Sequence, residues 1–438
     1  MEKNMIYKSL LFTLTIVVVD FFYFPTTFLF FPIGNTKIYL AIIGLFIAGL
    51  GLRNKQRAVI GNSLFTLSVF ASMVSLFGFL SMTLNHTSDD SYALYIVSMY
   101  VWLSAAYVVN SWIRLVYGIS TVFRICNFII VVCVLQCIIA LMVDFNSTVQ
   151  LFVDRITDTE WLRSVNRMYG IGATLDTAGI RFSLALIMIG YILGDKADNL
   201  PYKIIFLYVI AFVLLAVIGN MMARTTLVGV GISLLYLLYK SELYKAHIAP
   251  SQRKVWTMMA LGLMIAIPIV IYFYITNDIF YKNIRFAFEG FFSLAEKGYW
   301  EVSSNSTLKS MYVFPETVKT WLIGDGYFVN PKNDPFYMGP VTQGYYMNTD
   351  VGYLRFIFYF GILGLLAFTA YLVYAAKVCV SKFPKQKKMF LLFLIVDFVV
   401  WFKVATDIFI IFALLFLADE EDEKVQREDQ CISGSLNV

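Results

Sequence analysis

Eight basic residues stand where chain topology gives them no reason to be: Arg155, Arg163, Arg167, Arg181, Arg224, Arg285, Arg355 and Lys403. Each sits in or beside an apolar run, or in a polar segment on the side of the membrane opposite the basic loops. An arginine at mid-bilayer costs about 2.5–3.5 kcal/mol on insertion scales, and less near an interface, so such residues need anionic partners. One reading has each snorkelling to lipid headgroups or pairing with Glu316, Asp325, Asp350 or Asp407. The other has several converging at the outer boundary to hold a phosphate or pyrophosphate, which the planar guanidinium grips bidentately.

A second group of polar residues falls late in the chain. Asp350 opens the stretch Asp350-Val351-Gly352-Tyr353-Leu354-Arg355, followed by Gly361-Ile362-Leu363-Gly364. Asp350 reads either as a helix N-cap, with the glycines allowing close packing, or as a base that takes a proton from a sugar hydroxyl. Upstream, Gly324-Asp325-Gly326 marks a turn, and Tyr299, Trp300, Tyr312, Tyr327, Phe328, Tyr337, Tyr345 and Tyr346 lie around it in sequence. Aromatic faces stack on sugar rings, and they equally build a small core or an interfacial belt.

The elements that must position these residues are membrane helices. The 438 residues are 59% hydrophobic and only 14% charged, against about 25% charged in soluble domains. The sequence predicts an all-α polytopic membrane protein of about twelve transmembrane helices, with apolar runs near 9–30, 37–52, 58–80, 92–110, 123–143, 178–194, 203–220, 225–240, 255–275, 350–376, 388–402 and 404–418. Residues 1–275 hold nine spans and an outer loop at 144–177; 276–349 form one large extracytoplasmic loop, expected to fold as a cap; 350–418 hold the last three spans; 419–438 are an acidic cytoplasmic tail. Every second connection is basic: Lys3 and Lys8, then Arg53, Lys55 and Arg57, Arg114 and Arg124, Lys196 and Lys203, Lys240 to Lys254, and Lys377 to Lys388. The positive-inside rule then places both termini in the cytoplasm.

The net charge of +5 is spread over those short loops and forms no single basic face, which excludes nucleic acid as a partner. With only His86 and His247, and no clustered cysteines, a zinc site is not expected. Cys126, Cys133, Cys137 and Cys379 fall in apolar runs and Cys431 in the tail, so no disulfide is expected in the large loop. Met1 to Lys8 is short and basic, and the apolar run after it reads as an uncleaved first span.

Four short pieces, in this order and spacing, resemble the bacterial O-antigen polymerase (Wzy) family, within the superfamily that also holds the O-antigen ligases. They are Arg167-Met168-Tyr169-Gly170, Ala223-Arg224-Thr225, Gly324-Asp325-Gly326, and Asp350-Val351-Gly352-Tyr353 running into Gly361 to Gly364, with Lys403 in addition. The resemblance implies a polymerase that moves a growing glycan from undecaprenyl pyrophosphate to the non-reducing end of a lipid-linked repeat unit, at the outer face of the bacterial cytoplasmic membrane. It implies Asp350, Arg224 and Arg167 as catalytic residues, and Arg181, Arg355, Lys403, Arg285, Asp325 and Tyr353 as substrate-binding ones. It implies no metal and no cofactor. Partners would be the undecaprenyl-pyrophosphate-linked oligosaccharide, membrane lipids, and a chain-length regulator and flippase of the same pathway.

Asp350 stands where the ligases commonly keep a histidine, and no arginine here has a glycine at the eleven-residue offset of the family's Arg-x10-Gly motif. The first departure favours polymerase over ligase. A ligase-type glycosyltransferase and a polysaccharide flippase or secondary carrier are the alternatives, and charges deep at mid-bilayer would favour the carrier.

Overall fold

The computed structural model describes residues 2–32, 34–52, 61–157, 159–164, 167–242, 249–335, 337–339 and 344–420. Arg53, Lys55, Arg57, Lys245, His247, Cys431 and the acidic tail beyond Glu420 lie outside the described residues. Among the described residues all regular structure is helical. In hydrocarbon no water is present to satisfy a backbone amide, so an apolar chain closes its hydrogen bonds within itself as a helix.

Among the described residues eight helices are long and apolar enough to cross a bilayer: Ile6–Tyr23, Gly61–Asn85, Tyr95–Tyr117, Val122–Phe145, Leu175–Asp195, Tyr202–Met222, Gln252–Thr276 and Gly352–Lys382. The chain is a multi-pass membrane protein. Thr36–Leu50 and Thr226–Lys240 are apolar but shorter. The helices Lys387–Val400 and Phe409–Phe416 have 14 and 8 residues, below the ~20 that span about 30 Å of hydrocarbon at ~1.5 Å per residue.

The chain forms two compact units. The first comprises 1–37, 109–289 and the residues from 418. At its centre Leu175–Asp195 is buried along nearly its whole length and packs on Thr226–Lys240. Gly229 makes that approach possible, since a Cβ there would fall on the Ser183 backbone. Between Val122–Phe145 and Leu175–Asp195 the chain is not a bare loop. It folds into the helices Ser147–Thr157 and Trp161–Ser164, and Val153, Leu162 and Tyr169 bury against Val143. The Asp154 carboxylate accepts hydrogen bonds from the Thr159 and Tyr169 hydroxyls at 2.8 and 2.6 Å.

The second unit comprises 38–108 and 290–417. Its long helix, Gly352–Lys382, is interrupted at Phe360 (φ −132°) and Gly361 (φ 69°), and the Gly61–Asn85 helix packs along it. Tyr92 sits at the centre of an aromatic core, with ring contacts to Tyr95, Phe328, Phe356, Tyr359 and Phe368 at 5.1–5.7 Å.

The 276–349 segment is divided between the two units. Its first part, through Glu289, folds with the first unit and the remainder with the second. It contains the helices Asp278–Ala287, Glu289–Lys297, Ser303–Ser310 and Val318–Ile323. Asn277 and Thr317 start two of them, each accepting a backbone N–H three residues on.

Candidate functional site

The nine residues singled out from the sequence fall into two groups, one in each unit: Arg167, Arg181, Arg224 and Arg285 in the first; Asp325, Asp350, Tyr353, Arg355 and Lys403 in the second.

In the first unit, Arg224 occupies the short gap between the helices ending at Met222 and beginning at Thr226. Its neighbours Ala223 and Thr225 are buried, and Thr225 donates its hydroxyl to the Asp176 carboxylate. Those anchors fix the backbone on either side of Arg224. Its Nε donates to the Phe286 carbonyl at 2.9 Å, its guanidinium lies 3.9 Å from the Phe286 ring centroid, and an Nη contacts the Glu289 carboxylate at 2.7 Å.

Arg167 reaches the same ring from the other loop, its guanidinium 4.1 Å from the Phe286 centroid. The segment that carries it is held by the buried side chains of Met168 and Tyr169. Beyond them the Gln136 amide brackets Ile171, donating to its carbonyl at 2.9 Å and accepting from its N–H at 3.0 Å. Phe286 is positioned in turn, because Asn220 donates to the Ala287 carbonyl at 2.8 Å and Asn283 to Asp144 at 2.6 Å. Two arginines thus share one aromatic plate. Burial pulls both guanidinium groups below their ordinary pKa; Asp176 opposes this at Arg167, and at Arg224 Glu289 opposes it while Arg167 adds to it. Both remain cations at neutral pH.

The other two arginines of this unit stay apart from that plate. Arg181 lies within the Leu175–Asp195 helix, 5.5 Å from the Phe24 ring centroid, and its guanidinium has no ion pair among the described residues. The Tyr23 hydroxyl donates to its carbonyl at 3.0 Å. Arg285 precedes Phe286 on the Asp278–Ala287 helix, with its guanidinium 5.7 Å from the Tyr281 centroid.

In the second unit Arg355 is the centre. Its guanidinium lies 3.4 Å from the Tyr345 centroid and 4.0 Å from that of Phe328, donates to the Phe328 carbonyl at 3.1 Å, and faces Asp350 at 3.8 Å. The side chain is 5% exposed and that of Asp350 31%. Asp89 holds the segment carrying Phe328 in place, accepting from the Phe328 and Val329 N–H groups at 2.7 and 2.9 Å. The helix begins at Gly352, so the N-cap position belongs to Val351 and carries no side-chain cap; Asp350 is one residue too early for that role.

Asp325 and Tyr353 are engaged within the fold. The Asp325 carboxylate accepts from Thr320 at 2.8 Å and from Tyr346 at 3.3 Å. The Tyr353 hydroxyl donates to the Phe398 carbonyl at 3.0 Å, and its ring meets Trp401 and Phe402. Lys403 belongs to the turn whose Trp401 carbonyl accepts the Tyr353 N–H at 3.1 Å. A Cβ on Gly352 would lie 2.8 and 2.6 Å from the carbonyl oxygens of Trp401 and Val404.

Sequence reasoning named Tyr345 and Phe328 among the aromatics of 276–349 without pairing them with Arg355, and missed Phe286, Glu289 and Asp176. Only the clustering of charge with aromatics in 276–349 signalled Phe286 and Glu289. Among the described residues no group of three or more His, Cys, Asp or Glu side chains converges as metal ligands would. Set against family models, curated proteins and solved structures, the chain finds no match in any of the three.

Proposed function

We propose that this protein is a polysaccharide repeat-unit polymerase of the bacterial cytoplasmic membrane, with about twelve crossings, both termini inside and the 276–349 segment outside. It would transfer a growing glycan from undecaprenyl pyrophosphate to a lipid-linked repeat unit. The observation that supports this best is the arginine pair on Phe286. Two guanidinium groups at one half-buried spot, supported from below by an aromatic face, are suited to a diphosphate leaving group.

In such a transfer the bond between the anomeric carbon and the pyrophosphate oxygen breaks, and an acceptor hydroxyl forms the new glycosidic bond as it gives up its proton. The pyrophosphate leaves with the electron pair. Fixed cations stabilise that developing charge without reorganising. Asp350 is the candidate to receive the proton, and the Arg355 guanidinium faces it at 3.8 Å.

A carrier is the second reading, favoured by the interruption of Gly352–Lys382 at Phe360 and Gly361, because broken spans are common in transporters. The test is purified protein in detergent with a lipid-pyrophosphate-linked oligosaccharide and a chelator, with no nucleotide. A ladder of lengthening glycans, lost in Arg224→Ala and Arg167→Ala while both variants remain monodisperse, is the expected result. Intact substrate with folded wild-type protein would turn the reading to ligase or carrier, separated by adding a lipid A core acceptor.

A further inference from the structure

We propose that the Ser147–Thr157 helix is a lipid-docking surface, seated in the bilayer interface with Leu151 and Phe152 among the acyl chains and Arg155 on a phospholipid phosphate. The span before it, Val122–Phe145, carries an exposed apolar stripe of Val131, Leu135, Ile138, Met142 and Phe145, spaced three or four residues apart down to its last residue. On a membrane span such a stripe faces acyl chains. Asn146 alone joins the two helices. Its N–H donates to the Met142 carbonyl of the span, and its side chain accepts the Thr148 and Val149 N–H groups at 3.0 and 3.3 Å, opening the next helix. The second helix therefore starts where the lipid-facing span stops, with no slack between them.

Helical spacing divides this helix into two faces. Val153, Asp154 and Thr157 are buried, while Leu151, Phe152 and Arg155 lie on the opposite face and are exposed. Arg155 has no ion pair among the described residues. The turn after the first span adds to the same surface. The Leu29 N–H donates to the Ile156 carbonyl at 2.9 Å, and Leu29 and Phe30 are more than half exposed, as is Phe152. Such a surface offers apolar area to the acyl boundary and a long cationic side chain to the phosphates above it. Leu29 and Leu151 present no aromatic face to a sugar ring, which favours lipid over glycan as the occupant. On its buried side the helix is tied through Asp154 to the Tyr169 hydroxyl, two residues from Arg167. The depth at which it seats is thereby passed to the segment carrying that arginine.

The test uses the full-length protein in vesicles of equal parts phosphatidylcholine and phosphatidylglycerol, with a spin label on Leu151→Cys or Phe152→Cys. Cys431→Ser removes the tail cysteine, and Cys126, Cys133, Cys137 and Cys379 are buried. Relaxation of the label is measured with oxygen, which concentrates among acyl chains, and with a nickel chelate, which stays in water. Ile267→Cys, exposed on the Gln252–Thr276 span, supplies the acyl reference, and free label in buffer the aqueous one. At both helix positions oxygen should outcompete the chelate severalfold relative to free label, though by less than at Ile267. Arg155→Glu should shrink that preference at 152, because headgroup phosphates repel a carboxylate, while Arg155→Lys keeps it. A label at 151 and 152 as open to the chelate as free label puts this face in water and overturns the proposal. A label reached by neither agent is covered by protein, a second copy included, and overturns it too. Loss of monodisperse protein in both cysteine variants would place these side chains in the protein's own packing, with the same consequence. An unchanged profile in R155E overturns the phosphate contact.

Discussion

Arg355 meets Asp350 at 3.8 Å from inside an aromatic clamp, its guanidinium packed between the rings of Tyr345 and Phe328. The cation is nearly buried and the carboxylate is about one-third exposed, so the two residues have different consequences when removed. Arg355 holds several segments at once. Asp350 lies at its open side.

Asp350→Asn keeps the side-chain shape and leaves Arg355 its two rings and the Phe328 carbonyl. The expected cost is about 1 kcal/mol, typical of a partly exposed pair, against loss of the polymerisation ladder. Arg355→Ala should destabilise more, because it removes the stacking on both rings and the hydrogen bond to the Phe328 carbonyl as well as the contact to Asp350. Thermal unfolding in detergent, run beside the ladder assay, separates the two. A D350N protein that polymerises at the wild-type rate would end the candidacy of Asp350 as the base.

The interruption of the Gly352–Lys382 helix is closed by the turn at 324–326, where the Asp325 and Gly326 N–H groups donate to the Phe358 and Tyr359 carbonyls at 2.6 and 3.1 Å. Gly324 (φ 85°, ψ −176°) and Gly361 (φ 69°, ψ −175°) both occupy backbone space that is open essentially to glycine alone. A Cβ on Gly324 would sit 2.5 Å from the Tyr359 carbonyl oxygen, and one on Gly361 would fall on the Leu322 carbonyl. Gly324→Ala and Gly361→Ala should each cost more than the ~1–3 kcal/mol of backbone strain, because overlap with main-chain atoms is added. Gly298→Ala is the control: φ is 78° but nothing lies within 4 Å of the added Cβ. It should lower the unfolding temperature by a few degrees at most, while the other two lose monodisperse yield. Equal behaviour of all three would show that the turn does not support the interruption.

Helix positions were legible because hydrocarbon sets them. The runs read at 123–143 and 178–194 become Val122–Phe145 and Leu175–Asp195, since roughly 20 apolar residues are what a bilayer needs. The interruption at Phe360 was not legible: apolar character continues straight through it, and Gly361 and Gly364 read equally well as packing glycines. Nor was the plate under the arginines. Arg224 meets the Phe286 carbonyl across 62 positions of sequence, and neither helical nor strand periodicity relates residues that distant. Glu289 carried no signal beyond being an acid near aromatics. Ala223 is extended (φ −152°, ψ 119°) and buried, as is Thr225, and the packing of Arg224 against Phe286 and Glu289 is tertiary, so local spacing does not reveal it.

The tyrosines of the 276–349 segment supply a pH test. Tyr327 is 7% exposed, and its ring centroid lies 5.3 Å from Tyr337 and 5.2 Å from Tyr346. Burial, with the Asp334 carboxylate beside it, pushes its phenol up to about 12, and burial raises Tyr346 and Tyr337 as well. The unfolded value is about 10. A group whose pKa is higher in the folded state holds its proton there more tightly, so its contribution is complete below about pH 10 and is lost as pH climbs toward 12. Unfolding temperature should therefore fall across that window, in step with the rise of phenolate absorbance near 295 nm. Tyr327→Phe, which cannot ionise, should flatten part of that fall while costing some stability at neutral pH through the lost Asp334 hydrogen bond. A tyrosine absorbance change complete by pH 10, with no change in unfolding temperature, would mean that these rings are solvated and that the 276–349 segment does not pack around Tyr327.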